Sequence, residues 1–310
     1  MGRRATALLI VLDFAMSDSF EIPSPAMQLK QAVDSAYQLF LENSVPSPRL
    51  NAELLLLFVL NRERAYLYAH PERELTADEQ SRYDEVIAER ARGCPTQYIT
   101  GHQEFWGLDL LVSPAVLIPR PETEHVVETV LELVNEYHND GPGRLRLLDV
   151  GTGSGCIALA LASELVHAEI HACDISEDAL EMARTNAARL ALGGKVLFRK
   201  SDLLAAYEGE QFDFVISNPP YVGEVDADKV QKQVRDFEPH IAVFSGHEGI
   251  DIYRRLIPQA YERLRPGGWF VAEIGFSEEQ KVRDLLNGWS DIEVTADLQG
   301  IPRVVAARKI

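Results

Sequence analysis

Between Met27 and about Gly93 the apolar residues recur at helical spacing and no alternating pattern interrupts them. The runs "MQLKQAVDSAYQLFLENS" and "SPRLNAELLLLFVLNRERAYLYAH" are parted by Pro46 and Pro48. The run "TADEQSRYDEVIAERARG" opens on Thr76 as an N-cap followed by acids and closes at Gly93. The pattern predicts a small all-α domain of three to five helices over residues 27–95. Residues 96–125 read as a linker holding a strand pair in "QEFWGLDLLVSP", with Gly107 in the turn.

From Leu145 the pattern changes. Apolar, β-rich runs ("RLLDV", "AEIHACD", "KVLFRKSD", "FDFVISN", "GWFVAEIG") alternate with helical stretches such as "CIALALASEL", "EDALEMARTNAARL", "YRRLIPQAYERL" and "SEEQKVRDLLNGW". Alternation of this kind needs crossover connections, hence an α/β domain with a mostly parallel sheet over residues 126–310. The run "RVVAARK" is its last strand.

Composition narrows the class. Hydrophobic residues make up 46% and charged residues 25% of the 310, as in a soluble globular protein with a sizeable core. The net charge of -18 argues against sequence-independent binding to nucleic acid, which needs a positive surface. Cys94, Cys156 and Cys173 form no C-x-x-C pair, which suits a reducing, cytoplasmic setting. His167, His171 and Cys173 lie close in sequence, but an extended strand carries His167 away from a shared centre, so no metal site is expected. Residues 1–26 begin with two arginines and an apolar run. Asp13 breaks that run and it is too short to span a membrane. It reads as a poorly ordered tail, or as an over-called start with the true one at Met16 or Met27.

The candidate chemistry begins at "LLDVGTGSGCIALALA", where Gly151, Thr152, Gly153, Ser154 and Gly155 join a buried strand to a helix. Glycines there permit a tight turn and let a ligand touch the backbone. A dinucleotide fingerprint requires G-x-G-x-x-G, and Cys156 occupies its third glycine position, which disfavours a nicotinamide cofactor. The next strand ends in Asp174, a carboxylate suited to a ribose diol, and the following one in Asp202 and Leu203, placed to meet a base edge. Three successive strand ends thus face one crevice. These residues resemble the class I methyltransferases that use S-adenosylmethionine. The resemblance implies a Rossmann-like, mostly parallel seven-stranded sheet with an antiparallel last strand. It also implies that the glycine loop passes the methionine part, that Asp174 holds the ribose, and that Asp202 and Leu203 contact adenine.

A further strand, "FDFVI", ends in "SNPPYVG". Prolines cannot donate ladder hydrogen bonds, so the strand stops and a stiff turn follows. The N-P-P-Y motif resembles that of enzymes that methylate a nitrogen conjugated to a π-system. The resemblance implies that the Asn218 side-chain oxygen and the Pro219 carbonyl accept the N–H bonds of that nitrogen. Pro220 and Tyr221 complete the segment, with Tyr221 covering the planar group. Asn218 would also border the cofactor.

The flanks "PTQYITGHQEFWGLDLLVSPAVLIPRPETEHVV", "DFEPHIAVFSGHEGIDIYRRLI", "LRPGGWFVAEIG" and "DLQGIPRVVAAR" are similar to the HemK/PrmC family, over residues from about 27 to 310. Members methylate the glutamine of the Gly-Gly-Gln loop in peptide chain release factors. The resemblance implies release factors as partners docked by the helical domain, and a pocket shaped further by Phe105, Arg120 and Glu122. It brings the expectation of a cytoplasmic monomer with no membrane contact and no direct need for nucleic acid. "RPETE" is also a sound helix start, with Pro121 in the first turn and acids near the positive helix end. His247 and Glu248 stand where the family usually has a second glycine and an Asp. Rival readings are a ribosomal-protein glutamine methyltransferase, an adenine-N6 methyltransferase, and a non-catalytic cofactor-binding partner protein.

Overall fold

The computed structural model describes residues 27–137 and 144–310; the expectation of a tail over residues 1–26 lies outside them. Helices come first: α1 (Leu29–Glu42), α2 (Pro48–Leu60), α3 (Arg64–Ala69), α4 (Ala77–Ala91) and the short α5 (Thr96–Thr100). Pro48 opens α2 at a position where its missing N–H costs nothing. Thr76 and Glu79 close a capping box on α4. The apolar faces of α1, α2 and α4 meet in one cluster around Phe40, Leu55, Leu56 and Tyr83.

A hairpin follows, β1 (His102–Phe105) against β2 (Leu108–Leu111), with Trp106 and Gly107 both at positive φ in its two-residue turn. Helix α6 (Glu124–Tyr137) is entered through one 3-10 turn at Pro121–Thr123, as the proline and the acids of "RPETE" anticipate.

The remaining chain alternates strands and helices: β3 (Arg146–Val150), α7 (Cys156–Glu164), β4 (Glu169–Asp174), α8 (Glu177–Arg189), β5 (Val196–Lys200), β6 (Phe212–Ser217), α9 (Lys232–Phe237), α10 (His240–Val243), α11 (Asp251–Arg263), β7 (Leu264–Glu273), α12 (Glu279–Leu285), β8 (Ser290–Ala296) and β9 (Pro302–Arg308). They form one seven-stranded sheet in the order β5-β4-β3-β6-β7-β9-β8. Strand β9 runs antiparallel to both its neighbours. The sequence pattern does not single out β8. It is an edge strand with little burial, and its alternation "DIEVTAD" carries charges where a buried strand carries apolar residues.

Both faces of the sheet are covered. One carries Phe214, Ile216, Trp269 and Val271 against α6 and α7. The other carries Val215, Phe270 and Ala272 against α11. The chain steps outward from β3 to β4 and β5, then returns to the other side of β3 as β6. That reversal leaves a crevice outside the C-terminal strand ends, where open α/β sheets place ligands. No helix among the described residues is long and apolar enough to cross a membrane.

Candidate active site

The crevice is built by the ends of β3, β4, β5 and β6. Its floor is the glycine loop: Gly151, Gly153 and Gly155 have φ of +75°, +55° and +87°, a region that side-chain-bearing residues avoid. The Gly151 and Thr152 amides donate to the Cys173 carbonyl, at 2.8 and 2.9 Å. A Cβ on Gly155 would stand 3.1 Å from Leu159 and 3.2 Å from Ala183, so this glycine lets α7 and α8 approach. A Cβ on Gly151 or Gly153 would meet nothing within 4 Å, because the backbone there borders open space in the crevice.

Two carboxylates brace the loop. Asp149 is buried and its Oδ2 accepts from the Thr152 hydroxyl at 2.6 Å, while its Oδ1 has no partner. Burial pushes its carboxyl up to about 7, partly opposed by the Thr152 hydroxyl. Asp174 accepts the Gly153 amide on Oδ2 and the Ser176 amide on Oδ1, both at 2.9 Å. Burial raises its pKa, against those backbone donors. Asp202 and Leu203 also line the crevice. Asp202 is half exposed and pairs with Arg255 at 2.7 Å. Leu203 holds the left-handed conformation at φ +51°, strain that recurs at ligand sites.

The Asn218–Pro220 stretch closes the crevice beyond β6. The same three residues, with Leu117 and Ala242, also line a second cavity whose other walls include Arg120, Tyr221, Gln231 and Val234. The N-P-P segment therefore lines both cavities. Behind it Asn218 donates from Nδ2 to the Thr123 hydroxyl at 3.0 Å. Thr123 donates to Glu273 Oε2 at 2.6 Å, and Tyr221 donates to Glu273 Oε1 at 3.1 Å. Burial raises the Glu273 pKa, and the Thr123 and Tyr221 hydroxyls oppose the rise. The nearby Glu273 charge is the main cause that raises the Tyr221 phenol, which stays protonated.

The loop "FSGHEGID" backs the motif. Val222 donates to the Val243 carbonyl at 3.1 Å and Ser245 donates to the Val222 carbonyl at 2.8 Å. Gly246 and Gly249 take its two positive-φ positions, and the unusual His247 and Glu248 sit at its exposed tip. Arg120 pairs with the buried Glu238. Glu238 also accepts the Ile118 amide at 3.1 Å, which fastens the stretch before "RPETE" to the end of α9.

Two expected pocket residues are not brought to the cavities. Phe105 is 1% exposed and packs with Val126, Leu147 and Ile157 in the core, since β1 turns that face onto α6 and α7. Glu122 points away to Arg303, 3.8 Å distant, from the solvent side of the 3-10 turn. Other participants escape a sequence reading. Thr123 and Glu273 have the signature of a helix start and a strand end. Asn186 looks like an ordinary polar residue of α8, yet it is fully buried and holds the Leu111 and Ser154 carbonyls at 2.9 Å each.

Comparison with known proteins agrees with this architecture. Residues 31–101 match the PrmC N-terminal domain and residues 132–236 match the Methyltransferase small domain. The chain is 60% identical over 284 residues to the release factor glutamine methyltransferase of Koribacter versatilis, across 91% of this chain and 99% of that protein. It is 37% identical over 282 residues to the release factor glutamine methyltransferase of Geobacter sulfurreducens, across 90% and 96%. Among solved structures, the hMettl16 catalytic domain in complex with MAT2A 3′UTR hairpin 1 aligns with a TM-score of 0.53 at 18% identity, covering 72% of this chain and 80% of that one. At that identity the likeness speaks to the class I methyltransferase fold alone.

Proposed function

The chain belongs to the family of release factor glutamine methyltransferases, and we propose that it methylates the side-chain amide nitrogen of the glutamine in the Gly-Gly-Gln motif of peptide chain release factors, with S-adenosylmethionine as donor. One observation carries this reading: the Asn218–Pro220 segment is the common wall of two cavities. Donor and acceptor would meet at that segment, one from each cavity.

The crevice residues fit such a donor. The open backbone at Gly151 and Gly153 accommodates its amino-acid part, and the buried Asp149 braces that loop through the Thr152 hydroxyl. Asp174 would hold the ribose and Asp202 with Leu203 the adenine; Thr152, Ser154 and Gly155 shape the loop beneath. When bound, the sulfonium supplies an electrophilic methyl group.

The chain's own task is to prepare a poor nucleophile. An amide nitrogen has its lone pair delocalised. The Asn218 Oδ1 and the Pro219 carbonyl accept its two N–H bonds, which orients the nitrogen and favours a localised lone pair. Pro220 stiffens the turn and Tyr221 covers the amide plane. Such positioning supplies up to about 7–11 kcal/mol, and acceptors aimed at the charge developing on nitrogen add to it. None of the described residues lining the second cavity is a carboxylate or a histidine, so the proton is lost to water after transfer. Arg120 holds the α9 wall in place through Glu238. The helical domain, residues 27–95, would dock the release factor as a monomer in the cytoplasm, with no membrane and no nucleic acid required. Peptide mapping of a purified release factor after incubation with enzyme and S-adenosylmethionine tests the reading. One added methyl on the Gly-Gly-Gln glutamine supports it, and an unmodified glutamine overturns it.

A further inference from the structure

Asn218 has a side chain whose two ends are nearly the same shape, and only one end serves an acceptor that offers N–H bonds. What fixes the choice lies behind it. Thr123 is 1% exposed and Glu273 2% exposed, so neither finds water. A carboxylate only accepts hydrogen bonds, so the single proton of the Thr123 hydroxyl is committed to Glu273. Thr123 then has only lone pairs to offer Asn218. The Asn218 amide must present Nδ2 to Thr123, at 3.0 Å, and Oδ1 to the cavity. The reverse orientation sets two lone-pair-bearing oxygens against each other in a dry environment, which leaves a buried acceptor unmatched. The other carboxylate oxygen of Glu273 takes the Tyr221 hydroxyl at 3.1 Å. One carboxylate at the end of β7 therefore holds the first and last residues of the N-P-P-Y segment at the end of β6.

We propose that Glu273, acting through Thr123, is a positioning residue that locks the Asn218 amide with its oxygen towards the acceptor, and thereby makes the site select a primary amide over a carboxylate. This rests on the function proposed above. Neither residue touches the reacting nitrogen. Their contribution is the polarity of the group that does. A site of fixed polarity discriminates strongly because the wrong ligand leaves a buried group unpaired.

The test compares wild type, Thr123→Val, Thr123→Ser and Glu273→Gln, each shown to be folded and to bind S-adenosylmethionine. Each is assayed for affinity to a release factor carrying Gln or Glu at the methylated position, and for kcat and KM on the Gln form. The valine fills the space of the threonine but releases the amide to turn, so its nitrogen meets a carboxylate as readily as its oxygen meets an amide. The expected result is a drop of about tenfold or more in the Gln-to-Glu affinity ratio and in kcat for Thr123→Val. Serine should restore both. In Glu273→Gln the new side chain accepts from only one hydroxyl, so its ratio should fall between wild type and valine. A purely structural role would weaken both ligands alike. Normal transfer by wild type with an unmoved ratio in Thr123→Val overturns the relay alone. A wild type that transfers no methyl overturns the functional reading and the relay with it.

Discussion

The Arg90 guanidinium, at the end of α4, donates to the side chain of Gln233 in α9 at 3.1 Å, across 143 residues of chain. Arg90 is buried and also donates to Asn51 at 2.9 Å and to the Cys94 carbonyl at 3.0 Å. Gln231 and Val234, which flank Gln233 in the α9 segment, line the second cavity. The helical domain is thereby fastened to the wall against which the acceptor would lie. Arg90→Ala removes a donor from three acceptors, of which Asn51 Oδ1 keeps the Thr96 hydroxyl, and should lower stability by about 2 kcal/mol. Gln233→Ala, which removes one neutral acceptor, should cost about 1 kcal/mol or less. Urea unfolding of both variants checks the order.

The buried Glu238 joins residues 118–120 to the end of α9 through the Ile118 amide and the Arg120 guanidinium. Glu238→Ala strands a guanidinium and a buried amide, at a cost of roughly 3 kcal/mol given that Arg120 is partly solvated. Because Arg120 borders the second cavity and not the glycine-loop crevice, KM for the release factor should rise several-fold while S-adenosylmethionine affinity stays unchanged. Steady-state kinetics with calorimetric binding of the donor separates the two.

Gly249 and Gly246 both sit at positive φ, yet they differ in what surrounds them. A Cβ on Gly249 would stand 2.3 Å from the backbone oxygen of Tyr221, whereas one on Gly246 meets the movable carboxylate of Asp251. Gly249→Ala should therefore displace the N-P-P-Y segment and lose most activity, while Gly246→Ala should cost only about 1 kcal/mol of backbone strain. Transfer rates and melting temperatures of the pair test this contrast.

Asp149 titrates near 7 when folded because it is buried, against about 4 in an unfolded chain. A carboxyl with a raised folded pKa binds its proton more tightly in the native state. Its contribution to stability is fully present below about pH 4 and is lost as pH rises to about 7. Asp149→Asn keeps an acceptor for Thr152 and does not titrate. The stability difference between wild type and Asp149→Asn should shift by roughly 3 kcal/mol in favour of the variant between pH 4 and pH 8. Denaturant titrations of both proteins at the two pH values measure it.

The parts of the site that lie along the chain were legible in the sequence. The glycine loop, Asp174 and the N-P-P-Y turn each follow an apolar strand, and strand ends in a parallel sheet converge by topology alone. The partners that set their geometry were not. Thr123 belongs to a 3-10 turn and Glu273 to the end of an apolar strand, and nothing local says that they meet across 150 residues. Glu238 and Gln233 lie in a polar segment that resembles any surface helix. Phe105 is the opposite case: the family resemblance implies a pocket wall, but the hairpin turns it into the core. Strand β8 does not stand out in the sequence because an edge strand does not carry the continuous apolar run of a buried one.

Asn218 is the residue proposed to prepare the amide nitrogen for transfer. The most direct measurement is the single-turnover rate of methyl transfer to a release factor by wild type and by Asn218→Ala, both saturated with donor and acceptor. The rate should be lower by about a hundredfold or more in the variant, with donor affinity changed by no more than a few-fold. Equal rates in the two proteins would contradict that role.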